Sequence, residues 1–390
     1  MGALLVIALP GVAAASSARL DGMNVPGDYT KDYTGIFSYA SGINSVGNLV
    51  YVEPGSEDAD WGDRAVGAVL TNLWDGRFGT WGINLREMHP ALGQPTWAGQ
   101  LNPGNLGIDP NTNNPGEAFD LMWGHKMGGS TLGLRLNRTF QSTDVSGGGG
   151  STEGNGNNGR NILGVGAGLG FDLNPQATGE IGALFQNRGF DAGGGVKDDG
   201  GTDYQVAGRL FWKGGNNVVW VPAAKVWAFD QSTQAGAAKT ENQISGWQIG
   251  MAGNWAVNNN DLLVVGVQFA GNHQKLTPPG GPTTNHNETF YPNVFIGLET
   301  QVNSWLTLRA GAQNAMFFSD RVDNGTVTTT DKEMRFNFNM GAGMKLGQLQ
   351  LDATLDPLFA SNPVGQLVGG SNAIFNGETP FPHVTATYSF

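Results

Sequence analysis

The sequence predicts an all-β fold, a transmembrane antiparallel up-and-down β-barrel of about 16 strands, with 14 to 18 possible. Three observations lead to this prediction. Apolar and polar side chains alternate with a period of two in many segments, which places them on opposite faces of a strand. Short polar joints alternate with long connections. No run of about 20 apolar residues occurs, and without a transmembrane helix only a closed barrel satisfies the backbone in lipid.

Composition indicates a large ordered domain. The 390 residues include 62 Gly, 11 Trp and 20 Phe, but only 14% charged residues and no Cys. The aromatic content argues against a disordered chain, and the glycines lack the three-residue period of collagen. The absence of Cys excludes a disulfide scaffold and a thiolate metal site.

The first 46 residues divide into two predicted parts. Residues 3–15 are apolar and end in the small-residue run Ala13 to Ala18, which is typical of a secretory signal and its cleavage region. We therefore expect residues 1–18 to be a signal peptide or its remnant. Residues 19–46 are expected to form a periplasmic or lumenal segment, and residues 47–390 the barrel.

The clearest strand pair lies near the C-terminal end. From Met334 to Leu346 the alternation holds without exception, and it restarts at Leu349 after a tight turn at Gly347-Gln348. An amphipathic helix would space its apolar residues three and four apart, so two strands are predicted. Similar pairs are predicted at 65–73 and 77–86, 117–126 and 130–139, 160–173 and 177–188, 202–213 and 217–229, 242–257 and 261–273, and 288–302 and 305–318, with single strands at 48–52 and 382–390.

The connections alternate in length. Joints of two or three residues link the members of each pair, which suits the periplasmic turns of an outer-membrane barrel. Long extracellular loops are expected near 53–64, 87–116, 140–159, 189–201, 230–240, 274–287, 319–331 and 356–381. A soluble β-propeller would instead need a recurring four-strand motif, which the sequence lacks.

The last strand alternates up to the terminal aromatic residue. It resembles the closing strand and insertion signal of bacterial outer-membrane barrels, with Tyr388 and Phe390 on the predicted lipid face. This resemblance implies localisation in a bacterial outer membrane. A periplasmic aromatic girdle is predicted from the tryptophans that lie beside short joints, which are Trp74, Trp212, Trp255 and Trp305.

Charge patterning suggests a pore that prefers anions. The alternation turns ten cations inward against five acids, although the net charge of the chain is −12. Rings of basic side chains favour anions. Lysines beside the turns have a simpler explanation as interface anchors. The remaining constriction candidates are Arg135, Arg209, Lys225, Arg309 and Arg335.

One predicted strand presents only glycine to the inner wall. Its inward residues are Gly164, Gly166, Gly168 and Gly170. Glycine allows another backbone to approach closely, so an infolded loop or the N-terminal segment is one candidate neighbour. The alternative is a bare patch of pore wall or tight curvature.

No catalytic or metal-binding motif is evident. The five histidines are scattered, none has helical metal-ligand spacing, and no Ser/His pairing stands out. The glycine run at 164–170 does not fit a dinucleotide loop. We therefore expect no enzyme activity, no cofactor, no metal and no nucleic-acid partner.

The N-terminal segment is faintly similar to the start of the long-chain fatty-acid transporter family. The similarity rests on Ser17 to Met23, on Asp32 and on Ile36 to Ile43. It implies an N-terminal hatch inside the barrel and transport of hydrophobic molecules. That family's barrel has about 14 strands, two fewer than predicted here, and no binding residue carries over.

Three functions remain open. The first is a porin for passive diffusion of small polar solutes, including anionic ones. The second is a gated or plugged transporter of hydrophobic molecules, and the third is a structural barrel in an envelope complex. Expected partners are outer-membrane lipid and lipopolysaccharide, the barrel-assembly machinery and a possible homo-oligomer.

Overall fold

The computed structural model is a closed antiparallel β-barrel of 16 strands. It describes residues 16–54, 64–71, 73–86, 118–143, 158–193, 196–198, 202–215, 217–230, 232–323, 326–355 and 381–390. The predicted fold class and strand count are therefore confirmed. No helix among these residues has the length and apolar character needed to cross a membrane.

The strands follow the predicted order. They are β1 (Leu49–Glu53), β2 (Ala65–Leu70), β3 (Thr80–Arg86), β4 (Ala118–Met127), β5 (Ser130–Thr143), β6 (Asn158–Asn174), β7 (Ala177–Gly193), β8 (Val196–Asp198), β9 (Thr202–Gly214), β10 (Val218–Asp230), β11 (Thr233–Ala235), β12 (Ala238–Ala256), β13 (Asp261–Thr277), β14 (Thr284–Gln301), β15 (Leu306–Asp323), β16 (Thr326–Leu346), β17 (Leu349–Leu355) and β18 (His383–Ser389). One α-helix, α1 (Ser17–Met23), and 3-10 helices at Gly27–Tyr29, Tyr33–Phe37 and Ala40–Ser45 precede β1, and a fourth spans Leu73–Gly76.

The two ends of the chain's barrel region close the sheet. β18 pairs with β1, with Ser389 opposite Leu49, and β1 also pairs with β2. The short strands β8 and β11 pair with each other and with β7 and β12. They extend the sheet at the end with the long connections and are not counted among the 16.

The barrel faces lipid with apolar side chains and its own interior with polar ones. Ile249, Val165 and Phe336 point outward and are exposed, whereas Gln313 and Asn137 point inward and are buried. An apolar exterior on a closed barrel is the arrangement that a bilayer requires. The architecture agrees with the predicted localisation in a bacterial outer membrane.

Aromatic residues cluster outside the barrel at the end with the short turns. Trp212 and Trp305 are exposed there, and Trp255 packs edge-on against Trp220 with ring centroids 5.3 Å apart. The side chain of Trp74 lies outside the described residues. The outward rings of Tyr388 and Phe390 lie 6.1 Å apart at the same end, and their role as an insertion signal stays a prediction.

Several predicted long connections are largely strand. β13 and β14 extend into 274–287, and β15 and β16 extend into 319–331. Likewise, β11 and the start of β12 occupy much of 230–240, and β8 lies within 189–201. These stretches are polar on both faces, so they carry no apolar alternation, but neighbouring strands supply backbone partners for them. Most of the other long connections lie outside the described residues.

The described wall is uneven in height. β1, β2, β3, β17 and β18 have five to seven residues, whereas β12 to β16 have 17 to 21. A strand needs roughly 9–11 residues to cross a bilayer at the usual tilt. On the low side of the wall, formed by β1, β2, β3, β17 and β18, the described strands therefore cover only part of the thickness of a bilayer.

Candidate functional site

Among the described residues, an N-terminal segment lies inside the lumen at the level of the turn-side half of the barrel. We call residues 16–46 the plug. α1 packs on the inner faces of β14 to β18, the 3-10 helix at Gly27–Tyr29 contacts β10, and the 3-10 helix at Ala40–Ser45 contacts β3 to β7. The plug thus follows the inner wall around most of the barrel before the chain enters β1.

Local sequence signals define the turns of the plug. Ser16 caps α1 by accepting a hydrogen bond from the Arg19 amide, and Asn24 ends the helix in the left-handed conformation at φ 52°. Asp32 caps the next turn by accepting from the Gly35 amide. These residue types are the ones that favour helix starts and left-handed ends, so the plug has its own encoded shape.

The first anchor joins α1 to three strands through a charge network. Arg19 donates two hydrogen bonds to Glu299, at 2.7 and 2.9 Å. Arg309 bridges Glu299 at 2.6 Å and Asp352 at 2.7 Å, and the Ser16 hydroxyl donates to Asp352 at 2.8 Å. Two arginines thus share two acids, so the charges of this buried network balance.

The second anchor centres on Asp28. Its carboxylate accepts hydrogen bonds from Lys225 and Gln248, both at 2.9 Å, and from the Tyr39 hydroxyl at 3.3 Å. Burial alone would raise the pKa of Asp28, but the Lys225 ammonium, together with Arg209 and the Gln248 hydrogen bond, holds the pKa below its usual value. Asp28 is therefore charged and paired inside the barrel.

Arg209 holds the plug backbone beside this pair. Its Nε forms an ion pair with Glu180 at 2.7 Å, and its Nη1 donates to the carbonyl oxygens of Gly27, Asp28 and Thr30, at 3.2, 3.3 and 2.8 Å. Its guanidinium lies 4.1 Å from the Tyr39 ring centre. One wall arginine therefore binds three backbone carbonyls of the plug within residues 27–30.

The third anchor holds Phe37. Arg135 pairs with Asp120 at 2.6 Å and donates to the Phe37 carbonyl at 2.7 Å. Arg86 pairs with the same acid at 2.8 Å and lies 3.8 Å from the centre of the Phe37 ring. This part of the plug is fixed by its backbone and its ring.

Glycines on the inner wall admit the plug backbone. A Cβ at Gly133 would overlap Ala40, one at Gly182 would overlap the Ser38 carbonyl, and one at Gly311 would overlap the Met23 carbonyl. Of the predicted glycine strand, Gly168 and Gly170 face Ala40 and Ser41 of the plug. Gly164 and Gly166 face wall side chains instead, namely Asn137, Gln186, Leu184 and Arg135.

The predicted constriction cations do not line an open pore in this structure. The side chains of Arg135, Arg209, Lys225 and Arg309 are only 4, 2, 5 and 2% exposed, and each pairs with an acid. Arg335 is 24% exposed, pairs with Glu333 and lies 3.5 Å from the Phe317 ring centre. Sequence reasoning found these cations but missed Asp28 and Arg19, whose partners lie on distant strands.

A cavity of about 760 Å³ lies at the low side of the wall. Its described lining includes the outward residues Val52, Val66, Leu85 and Phe119 and the inward residues Glu53 and Arg86. It therefore touches both the lipid face and the residues that hold the plug. A smaller polar cavity of about 270 Å³ lies between the plug and the turns of β4 to β7.

Comparisons with known proteins return outer-membrane barrels. No protein-family model matches the sequence, and no curated protein matches it. A Pseudomonas aeruginosa FadL homologue is 12% identical, with 95% of this chain and 97% of that chain covered and a TM-score of 0.46. The Pseudomonas putida toluene transporter TodX is 9% identical, with 96% of each chain covered and a TM-score of 0.40.

A longer protein also matches. The copper transporter OprC is 13% identical with a TM-score of 0.45, and the match covers 61% of this chain but only 43% of that one. This chain thus spans less than half the length of that transporter. At such identities and TM-scores, none of these likenesses assigns a substrate.

Replacing Lys225 with Met should loosen the plug. Asp28 would stay buried without its cation, and breaking a buried pair in this way costs about 3–5 kcal/mol. Hydrogen exchange of residues 27–31 should accelerate, while the barrel strands stay protected. Lys332→Met, which removes an exposed lysine from β16, is the matched control. Equal protection of residues 27–31 in both variants would contradict the role of the Asp28–Lys225 pair.

Gly182→Val or Gly133→Val should displace residues 38–44 of the plug from the inner wall. Valine suits a strand, but its side chain would occupy the place of the Ser38 carbonyl or of Ala40. Proteoliposomes with either variant should leak a small polar dye that the wild type retains. Gly208→Val, where a Cβ meets nothing closer than 3.9 Å, is the control and should not leak. If vesicles with all three variants retain the dye, Gly182 and Gly133 are not needed to hold the plug in place.

Proposed function

We propose that the protein is a gated transporter for molecules with an apolar body, and that the plug is its gate. The observation that carries the proposal is the occupied lumen, which leaves no role for the inward cations as an open selectivity ring. Four of the five predicted cations are used to hold the plug or the wall acids. Passive diffusion of polar solutes is therefore the weaker candidate.

The cavity at the low wall supports an apolar substrate. Its outward lining is aliphatic and aromatic, and its inward lining carries Glu53 and Arg86. Ligand sites are mostly apolar with a few placed polar groups, which is the composition found here. A molecule leaving the lumen on this side would meet apolar surface that continues to the lipid face.

The polar contacts of the cavity link it to the plug. Glu53 accepts a hydrogen bond from the Tyr33 hydroxyl at 2.8 Å and also contacts Ser17. Arg86 lies over the Phe37 ring. A ligand that competes for either side chain would weaken a contact of the plug. Ligand binding in the cavity and movement of the plug would therefore depend on the same residues.

A disulfide between plug and wall should stop transport. A Cβ built on Gly170 lies 3.7 Å from the Ser41 Cβ, within the range of about 3.5–4.5 Å for a disulfide, once the Thr131 hydroxyl rotates away. The chain has no other Cys. Oxidised Ser41→Cys/Gly170→Cys protein should fail to take an apolar fluorescent probe into cells, and reductant should restore uptake. Each single variant serves as control, and undiminished uptake by the oxidised double variant would refute the gate.

Filling the cavity should also reduce uptake. Val66→Trp/Leu85→Trp places two indoles on the cavity lining, whereas Val206→Trp/Ile249→Trp places them on the lipid face elsewhere. The first pair should lower probe uptake toward the level of cells that lack the protein, and the second should leave it unchanged. If both pairs transport equally, the cavity is not on the route.

A further inference from the structure

A chain of three polar side chains lies where the plug meets β18. The Ser17 hydroxyl oxygen is 3.2 Å from Nε2 of His383, and Nδ1 of His383 is 2.6 Å from the Asp21 carboxylate. Ser17 and His383 are 366 positions apart in the sequence, which is why no Ser/His pairing was evident there. The expectation that the chain has no such pairing is therefore corrected by the fold.

The fold orients each of these groups. Ser17 and Asp21 are four residues apart in α1, so they lie on the same side of the helix. His383 is the first residue of β18 and points inward, between them. The Asp21 carboxylate fixes the Nδ1–H tautomer, which leaves Nε2 as the acceptor that faces the serine.

We propose that Ser17, His383 and Asp21 form a nucleophilic site that hydrolyses esters of apolar acyl groups. Nε2 of His383 takes the Ser17 proton as the serine oxygen attacks the ester carbonyl carbon, and the Asp21 carboxylate stabilises the resulting imidazolium. The imidazolium then gives that proton to the departing alcohol as the ester C–O bond breaks. Water then attacks the acyl carbon while His383 takes one of its protons. The bond between that carbon and the Ser17 oxygen breaks, the carboxylic acid leaves, and His383 returns the proton to Ser17.

The surroundings of Ser17 fit this chemistry and fix the substrate class. Its oxygen lies 3.2 Å from the Thr385 hydroxyl, and in the structure it donates a hydrogen bond to the Glu53 carboxylate. Serine has one proton, so Glu53 and His383 compete for it. Only His383 is held by a second acid. Glu53 also lines the cavity of about 760 Å³, so an acyl chain bound on the aliphatic lining brings its ester toward Ser17.

This activity goes beyond the proposed transport and does not rest on it. The wild-type barrel purified in detergent should react with a fluorophosphonate probe and hydrolyse p-nitrophenyl esters of medium-chain acids. Ser17→Ala should abolish both signals. Asp21→Asn and His383→Gln should lower ester turnover by about 10²–10⁴-fold, the usual contribution of positioned acid–base groups. Ser304→Ala, in an exposed turn, should keep full labelling and turnover.

Three results would overturn the proposal. One is a wild-type barrel, shown to be folded by its heat-modifiable migration, that does not label. The second is labelling that persists in Ser17→Ala. The third is a mature protein whose N-terminal sequence starts after Ser17. If the barrel transports the apolar probe but fails these tests, the hydrolase proposal is rejected and the transporter proposal stands.

Discussion

The buried ion pairs between the plug and the inner wall are the constraint on which the function of this barrel depends. Arg19 and Asp28 carry charge into the buried interior of the barrel, and each meets a wall group of opposite charge. Buried pairs add little stability compared with apolar packing, but separating one is expensive because the partners stay desolvated. They therefore fix where the plug lies, and its release requires that water reach the freed charges.

The plug is not held equally along its length. Residues 16–31 use ion pairs and charge-assisted hydrogen bonds to β9, β10, β14 and β17. Residues 38–44 lie mainly against wall glycines, and their described hydrogen bonds to the wall include Asn44 to the Leu132 carbonyl at 3.1 Å and Gln205 to Ser38 at 3.4 Å. Moving the second half breaks no buried charge pair among the described contacts. That half therefore needs less free energy to open and lies above the polar cavity at the turn end.

The sequence predicted the barrel well because lipid and lumen enforce a period of two. The alternation around Met334–Leu346 and the short joints were sufficient for the strand count and for the inward direction of Arg135, Arg209 and Lys225. It could not predict that these cations hold a plug, because Asp28 and Lys225 are 197 positions apart and nothing local joins them. Glycine was the available signal, since Gly168 and Gly170 lack side chains where Ala40 and Ser41 approach. The strand extensions escaped prediction because their side chains are mostly polar on both faces, so no apolar alternation marks them.

The central claim is that the plug closes the lumen at rest, and single-channel recording in planar bilayers tests it most directly. The folded wild-type protein should show no steady open conductance, with at most brief openings when the plug moves. Destabilising the ion pairs with Lys225→Met should make openings more frequent, and Lys332→Met should not. A wild-type protein that conducts steadily with the large current of a water-filled pore would contradict the account.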